Sequence, residues 1–379
     1  MSNTLTSLIP DVYAALNVVS RELIGFIPAV ARSSNADRVA LNQTLRSTVA
    51  PTATVGDITP AMAFPAAADQ TIANKTLTIS KSRCAGFSWT GEEQLGVNAG
   101  PGYLTIQQNQ IAEAFRALVK EVEGDLAAIA YKNASRAYGT AGTTPFASDL
   151  SATAQLRKIL DDNGAPASDR HLIFDTTAGA KVRTLSQLTK ANEAGNDTLL
   201  RQGTLLNIHD FSLRESNKIS PVTAGTGTGY LINNGAGYAV GATALTVDTG
   251  SGTILAGDVI TLAGDTNKYV VATALAANVV TLAAPGLLAA HADNDAITVG
   301  AAFTPNVGFS RNAFVLATRL PAVPQERDLA LMREIITDPF SGLSFELAAY
   351  PGYRMVKYEL GLNWGVAAFK PEHAAILLG

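Results

Sequence analysis

Residues 224–230 read Ala-Gly-Thr-Gly-Thr-Gly-Tyr, and glycines at this spacing could let backbone amides cradle a phosphate. A dinucleotide fingerprint needs a strand before the glycines and a helix after them. Here an apolar strand pattern follows, so the run reads as a flexible lead-in to a β segment. Asp293-Asn294-Asp295 offers oxygen ligands but lacks the spaced acids and closing Glu of a calcium loop, and reads as a polar turn. His171, His209, His291 and His373 are scattered, and none pairs with another His or a Cys at metal spacing. The single cysteine, Cys84, permits no intrachain disulfide and no zinc set. It lies in an apolar, aromatic stretch and reads as a buried thiol rather than a nucleophile. Glu92-Glu93 and Asp161-Asp162 are adjacent pairs, which point in different directions on a helix or strand and suit acid–base work poorly. There is no Gly-x-Ser-x-Gly elbow. No catalytic, cofactor-binding or metal-ligating residue is therefore assigned, and the expectation is a protein that is not an enzyme and carries no cofactor.

The elements that would position such groups change character in mid-chain. Residues 221–309 contain no Arg and no Glu, one Lys (Lys268) and five Asp (Asp248, Asp258, Asp265, Asp293 and Asp295). Those six charges sum to −4, the net charge of the whole 379-residue chain, so the remainder is neutral. Gly, Ala, Thr and Val dominate the stretch, with short apolar runs at 230–232, 245–247, 259–262, 269–272, 279–282 and 297–299 separated by turns such as Gly250-Ser251-Gly252. A small barrel or sandwich is expected there. Its excess Asp predicts an acidic solvent face.

The flanking sequence is of another kind. Residues 8–31 follow a helical period through Val12, Leu16, Val19, Leu23 and Phe26, with Pro10 at the start and Pro28 ending or kinking it. Residues 47–99 lack helical periodicity, carry Pro51, Pro60 and Pro65, and alternate as strands near 75–79 and 87–89. A loop of that length calls for support from outside its own subunit. Residues 103–134 form the clearest helix, with Ile111, Phe115, Leu118, Val122, Leu126 and Ile129 in one stripe and Thr105 and Gln108 at capping-box spacing. It would be a rod of roughly 45 Å. A helix at 153–162, a strand at 170–174 and a helix at 177–188 read as an α/β region, and strands at 313–318, 343–348 and 353–360 precede the final stretch, 362–378.

Charged residues make up 16% of the chain, below the usual level of about 25%. Such a surface suits burial against other subunits, or else reflects an alanine-rich proteome. The net charge argues against binding nucleic acid through phosphates, and no run of Lys or Arg occurs, 32–46 being the most basic neighbourhood. The start of the chain has no secretory pattern, and the longest apolar segment, 23–31, is too short to span a bilayer. An intracellular, soluble protein is expected. Asn-x-Ser/Thr matches at Asn42, Asn74, Asn133 and Asn196 then carry no weight.

In this order of parts the chain resembles the major capsid proteins of tailed bacteriophages with the Hong Kong 97 type fold, and most of all the phage P-twenty-two coat-protein family with its insertion domain. The segments that carry the resemblance are DTLLRQGTLLNIHDF at 197–211, LAGDVITLA at 255–263 and YELGLNWGVAAFKPE at 358–372. The resemblance implies an α+β fold with an N-terminal arm at 1–46, an extended β-loop at 47–99 and the spine helix of the peripheral domain at 100–139. It further implies a mainly axial domain at 140–222, an inserted β domain at 223–304 and a return to the axial and peripheral domains at 305–379. By the same resemblance the chain would assemble as homo-pentamers and homo-hexamers into an icosahedral shell, through a procapsid built on a scaffolding protein and with a portal protein. It would enclose double-stranded DNA without sequence-specific binding, be assembled in the host bacterial cytoplasm, and touch no membrane. An encapsulin-like cellular compartment and a β-rich adhesin or polysaccharide enzyme are the alternatives.

Overall fold

The computed structural model describes residues 23–49, 73–97, 103–189, 207–326, 328–338 and 341–379. Along the chain come helix α1 (Phe26–Ala29), strands β1 (Ala31–Val39), β2 (Thr44–Val49), β3 (Ala73–Thr78) and β4 (Lys81–Thr90), and helices α2 (Gly91–Val97) and α3 (Tyr103–Lys132). Strand β5 (Arg136–Tyr138), helix α4 (Ser151–Asp162), strand β6 (Arg170–Phe174), helices α5 (Thr176–Thr184) and α6 (Ser186–Thr189), and strands β7 (Asn207–Ile208) and β8 (Phe211–Glu215) follow. Six strands come next: β9 (Tyr230–Ile232), β10 (Ala244–Asp248), β11 (Val259–Leu262), β12 (Lys268–Ala276), β13 (Val279–Leu282) and β14 (Ala296–Val299). The last are β15 (Pro305–Ser310), β16 (Phe314–Pro321), β17 (Met332–Thr337), β18 (Ser344–Gly352), β19 (Met355–Ala368) and β20 (Ala374–Leu378).

Helix α3 organises the main core. Its stripe, Ile111, Phe115, Leu118, Val122 and Leu126, is buried against one sheet in which β1, β16, β19, β18 and β17 lie side by side with β4 paired to β19. Phe115 meets Phe345 edge to face at 4.9 Å, and Trp364 donates its indole N–H to Asp125 on the helix at 2.9 Å. Gln108 had the spacing of a capping box with Thr105, but α3 begins at Tyr103, so Thr105 lies inside the helix and does not cap it.

A second sheet runs β5, β20, β15, β6, β8, β7, with β20–β5 and β6–β8 parallel. Its central strands are buried on both faces, and alternation divides them between two cores. In β20, Ala374, Ile376 and Leu378 join the α3 side, whereas Ala375 and Leu377 join the side covered by α4 and α5. Asp175 caps α5 by accepting from Thr177 and Ala178 at 3.0 and 3.1 Å. The single helix expected over 177–188 is instead two, because buried Leu185 takes an extended conformation between them.

Strands β9–β14 pair in a closed ring, β11-β14-β9-β10-β13-β12 and back to β11, all antiparallel. Ile232, Leu245, Val247, Ile260, Val280 and Leu282 fill its interior. β12 also pairs with β5, which joins the ring edgewise to the second sheet. The expected acidic face is only partly present. Asp258 is 1% exposed and Asp265 is also buried at its carboxylate, because both satisfy loop amides: Asp258 accepts from Gly225 and Leu255, Asp265 from Asn267.

The helix expected over 8–31 falls only in part among the described residues. Residues 8–22 lie outside the described ones; α1 has four residues, and from Ala31 the chain is a strand parallel to β16. Pairing with β16 outcompetes helix extension past Pro28. The hairpin β2–β3 brackets the start and end of the proline-containing segment, whose residues 50–72 lie outside the described ones.

Candidate assembly surfaces

Most residues with chemical potential have a structural task in the fold. The glycine run wraps around Asp258: the Gly225 amide donates to both carboxylate oxygens at 3.1 Å, and a Cβ there would meet Thr253 O at 2.3 Å. Burial raises the Asp258 pKa, and the amides of Leu255 and Gly225 pull it back down. His291 is buried between Asp295 (3.0 Å) and Asp265 (3.5 Å) inside the ring, and His209 touches Thr153 at 2.6 Å at the turn before β8. His171 lies on the second sheet and His373 beside the start of β20, its pKa lowered by burial; the four are not brought together. Among the described residues no group of three or more His, Cys, Asp or Glu is placed to hold a metal.

Cys84 corrects the sequence reading: it is exposed. Ala85 and Phe87 turn toward α3, and the strict alternation of a strand puts Cys84 on the opposite face of β4. The acidic pairs are structural. Glu93 and Thr90 form a capping box at the start of α2, with Glu93 accepting from the Thr90 amide at 2.9 Å and donating its own amide to Thr90 Oγ1 at 3.2 Å. Those bonds lower the Glu93 pKa. Asp161 holds Arg170 at 2.7 Å, and Asp162 faces Arg136 at 3.6 Å.

What the chain does leave open is apolar surface. Among the described residues β17 is the end strand of its sheet, with no partner strand on its outer edge. Leu331 and Ile335 are exposed along it, Leu329 just before it is 79% exposed, and Tyr353 at the β18–β19 turn is 92% exposed. A second apolar feature is an open groove of about 420 Å³ between β4 and α3, lined by Ala85, Phe87, Ile106, Ala114 and Ala117. No sequence pattern marked either, because exposure depends on which strand ends a sheet. Among the described residues no helix is long and apolar enough to cross a membrane.

This architecture has counterparts among solved structures. The chain matches a subunit in the capsid structure of the cyanophage P-SCSP1u with a TM-score of 0.50 and 13% identity, covering 94% of this chain and 88% of that one. It matches a structure from Mycobacterium phage Che8 (TM-score 0.49, 14% identity, 90% and 88% covered) and the mature capsid of bacteriophage PhiM1 (0.49, 10%, 93% and 86%). No protein-family model and no curated protein matches the sequence. At these identities the likeness is one of fold, and it spans 94% of this chain: this α+β chain shares the overall fold of a phage capsid subunit.

Proposed function

We propose that this chain is the major capsid protein of a tailed phage, a structural protein without enzymatic activity that closes with copies of itself into an icosahedral shell around double-stranded DNA. The observation that supports this reading is the whole-chain likeness to a capsid subunit, over 94% of its length. The exposed edge of β17 and the apolar residues beside it suit a subunit that is covered in an assembly. In this reading the fold is of the Hong Kong 97 type, with α3 as spine helix, residues 47–99 as the extended loop, and the six-stranded ring as an insertion like that of the phage P-twenty-two coat proteins. Pentamers and hexamers would form first as a procapsid on a scaffolding protein, with a portal protein at one vertex, in the host cytoplasm. The net charge of −4 is compatible with a shell that holds packaged DNA without binding it tightly.

Expression of the full chain, followed by sedimentation and negative-stain microscopy, tests the reading. Shells, capsomers or polymerised sheets are expected. A well-behaved monomer at high concentration under all salt conditions would overturn it. Closed shells that hold enzymes and exclude nucleic acid in the native source would point instead to a cellular compartment.

A further inference from the structure

The buried cations of this chain have partners nearly everywhere. Arg183 grips Glu215 in a two-pronged pair, Arg170 holds Asp161, Arg136 faces Asp162, and Arg319 holds the carbonyls of Ser33 and Thr318. Arg214 on β8 breaks the pattern. Among the described residues no carboxylate pairs with it, and its Nε is buried without a hydrogen-bond partner. Burial and the neighbouring charge of Arg311 both work against its protonated form. A guanidinium does not shed its proton in a protein, so this site keeps a half-desolvated positive charge beside a second one.

Two further unsatisfied nitrogens gather there. β6 and β8 run in parallel register with His171 opposite Ser212 and Ile173 opposite Arg214, so His171 and Arg214 share a face as diagonal neighbours. His171 is 3% exposed, and neither ring nitrogen has a hydrogen-bond partner. Burial first, then the charges of Arg214 and Arg311, push its pKa down. Phe309 of β15 lies opposite His171 on this face, and Ser310, opposite Arg170, turns to the other face. Arg311 follows it and donates its backbone amide to Asp169 O at 3.0 Å. Among the described residues the carboxylate at the cluster is that of Asp169, 58% exposed, 3.5 Å from Arg311 Nε and 3.7 Å from His171 Nε2. One carboxylate at the rim leaves a net positive charge inside.

We propose that Arg214, Arg311 and His171 form a binding site for a phosphate-class oxyanion on the face shared by β6 and β8, beside the turn that follows β15. Two fixed positive charges with planar guanidinium forks suit the several oxygens of a phosphate group. The guanidinium N–H groups and one imidazole N–H supply the donors that several phosphate oxygens require. The Arg311 side chain is 42% exposed, so the ligand has a route in from solvent. The oxyanion comes either from free phosphate or from a phosphodiester of nucleic acid. The site requires nothing of the shell reading.

Isothermal titration of the full chain with inorganic phosphate in chloride buffer is the test. A single saturable site per chain is expected. Arg214→Gln and Arg311→Gln should each weaken it by about tenfold or more, the scale of a lost charge-assisted contact. Arg214→Lys, which keeps the charge and the packing of the stem, should retain part of the affinity and guards against a folding defect. Arg157→Gln, at an exposed pair with Asp161 and Asp210 away from the cluster, should titrate as the native chain does. A short DNA duplex that displaces phosphate, with the same dependence on Arg214, identifies a phosphodiester; a duplex that does not displace it identifies free phosphate. Absence of saturable binding by the native chain, or unchanged binding in both Gln variants, overturns the proposal. So does a chain that ignores phosphate but changes its sedimentation in Arg214→Gln, because a neighbouring copy's carboxylate then fills the site.

Discussion

Glu123, at the middle of α3, accepts the backbone amides of Gly25, Phe26 and Ile27 at 2.6, 2.8 and 3.0 Å, and the hydroxyl of Ser216 at 2.8 Å. The first amides of a helix have no partner within it, so Glu123 acts as the cap that α1 lacks locally. It is 1% exposed and joins three distant segments: the start of the described chain, the long helix, and the end of β8. Gly25 must be glycine for this approach, since a Cβ there would lie 2.7 Å from Ile173 and 2.9 Å from the Glu215 carbonyl.

Glu123→Ala should therefore strip three buried amides of their acceptor at once. A cost of about 3 kcal/mol or more is expected, seen as a lowered denaturation midpoint. Glu123→Gln tests the charge. Burial raises the Glu123 pKa, with the amides and Ser216 opposing. A carboxyl whose folded pKa lies above its unfolded one binds more protons when folded, so its contribution is fully present below the unfolded value and is lost as pH rises through the folded one. The native chain should show that loss above about pH 4.5, and Glu123→Gln should not. Equal slopes in denaturant titrations of the two would contradict this account.

Leu118 and Val122 sit in the middle of the buried stripe of α3. Leu118→Pro removes a helix hydrogen bond and clashes with the previous turn, a cost of about 3 kcal/mol or more before any loss of packing. Because α3 supports both the sheet containing β19 and the α1 segment, insoluble protein is expected. Soluble protein with native circular dichroism would mean that α3 is not a packed helix.

The chain announced its period-based elements well and its relationships poorly. β6, β9, β11 and β13 stand where apolar runs put them, and α3 runs from Tyr103 to Lys132. Such elements are written in local spacing alone. The break at Leu185 was not legible in local spacing, whereas Pro28 did mark where α1 ends, at Ala29. The Glu123 contact spans 98 positions to Gly25 and leaves no local trace. Cys84 was misread because an apolar neighbourhood gives no face, and only the pairing of β4 with β19 does. The unpaired charge of Arg214 likewise needs the register of β6 against β8 before it can be seen.

The six-stranded ring is proposed to fold by itself. A fragment over 221–304 should give β-type circular dichroism and a cooperative melt. Its stability should be modest, because Val259, Val270, Ala283 and Phe303 pack into the main core and would be uncovered. Leu245→Ala, at a site wholly buried inside the ring, should cost the fragment about 2–5 kcal/mol and unfold it. With Asp258 and Asp265 already buried and bonded, added salt should stabilise the fragment only slightly. Random-coil amide shifts from the native fragment would place the folding unit elsewhere.

Self-association through the β17 edge predicts a different outcome for a surface change. Ile335→Lys puts a charge on an exposed position of an end strand, the device by which sheets resist edge pairing. The subunit should melt as the native chain does, within about 0.5 kcal/mol, as expected of a surface substitution. Its sedimentation should shift toward smaller species. Unchanged assembly would move the contact away from β17.

Acid should weaken the fold through His171. Burial first, then Arg214 and Arg311, lower its pKa to about 4, with Asp169 acting the other way. In the unfolded chain an imidazole takes its proton near pH 6.5. Between those values the unfolded state holds more protons, so stability falls as pH drops from about 6.5 to about 4 and levels off below. His171→Phe keeps a ring against Phe309, whose centroid lies 6.3 Å away, and removes the titration. Carboxylates elsewhere respond to acid too, so the quantity to follow is the difference between native and variant unfolding free energies in urea at pH 7, 5.5 and 4. That difference should move in favour of the variant as the pH falls. Arg214→Gln should make this loss smaller and level it off at a higher pH, since one of the two charges that disfavour a protonated His171 is then gone, while the onset near pH 6.5 stays with the unfolded chain. A difference that stays constant over this range would mean that His171 meets protons equally well folded and unfolded, and that its two orphan nitrogens reach solvent after all.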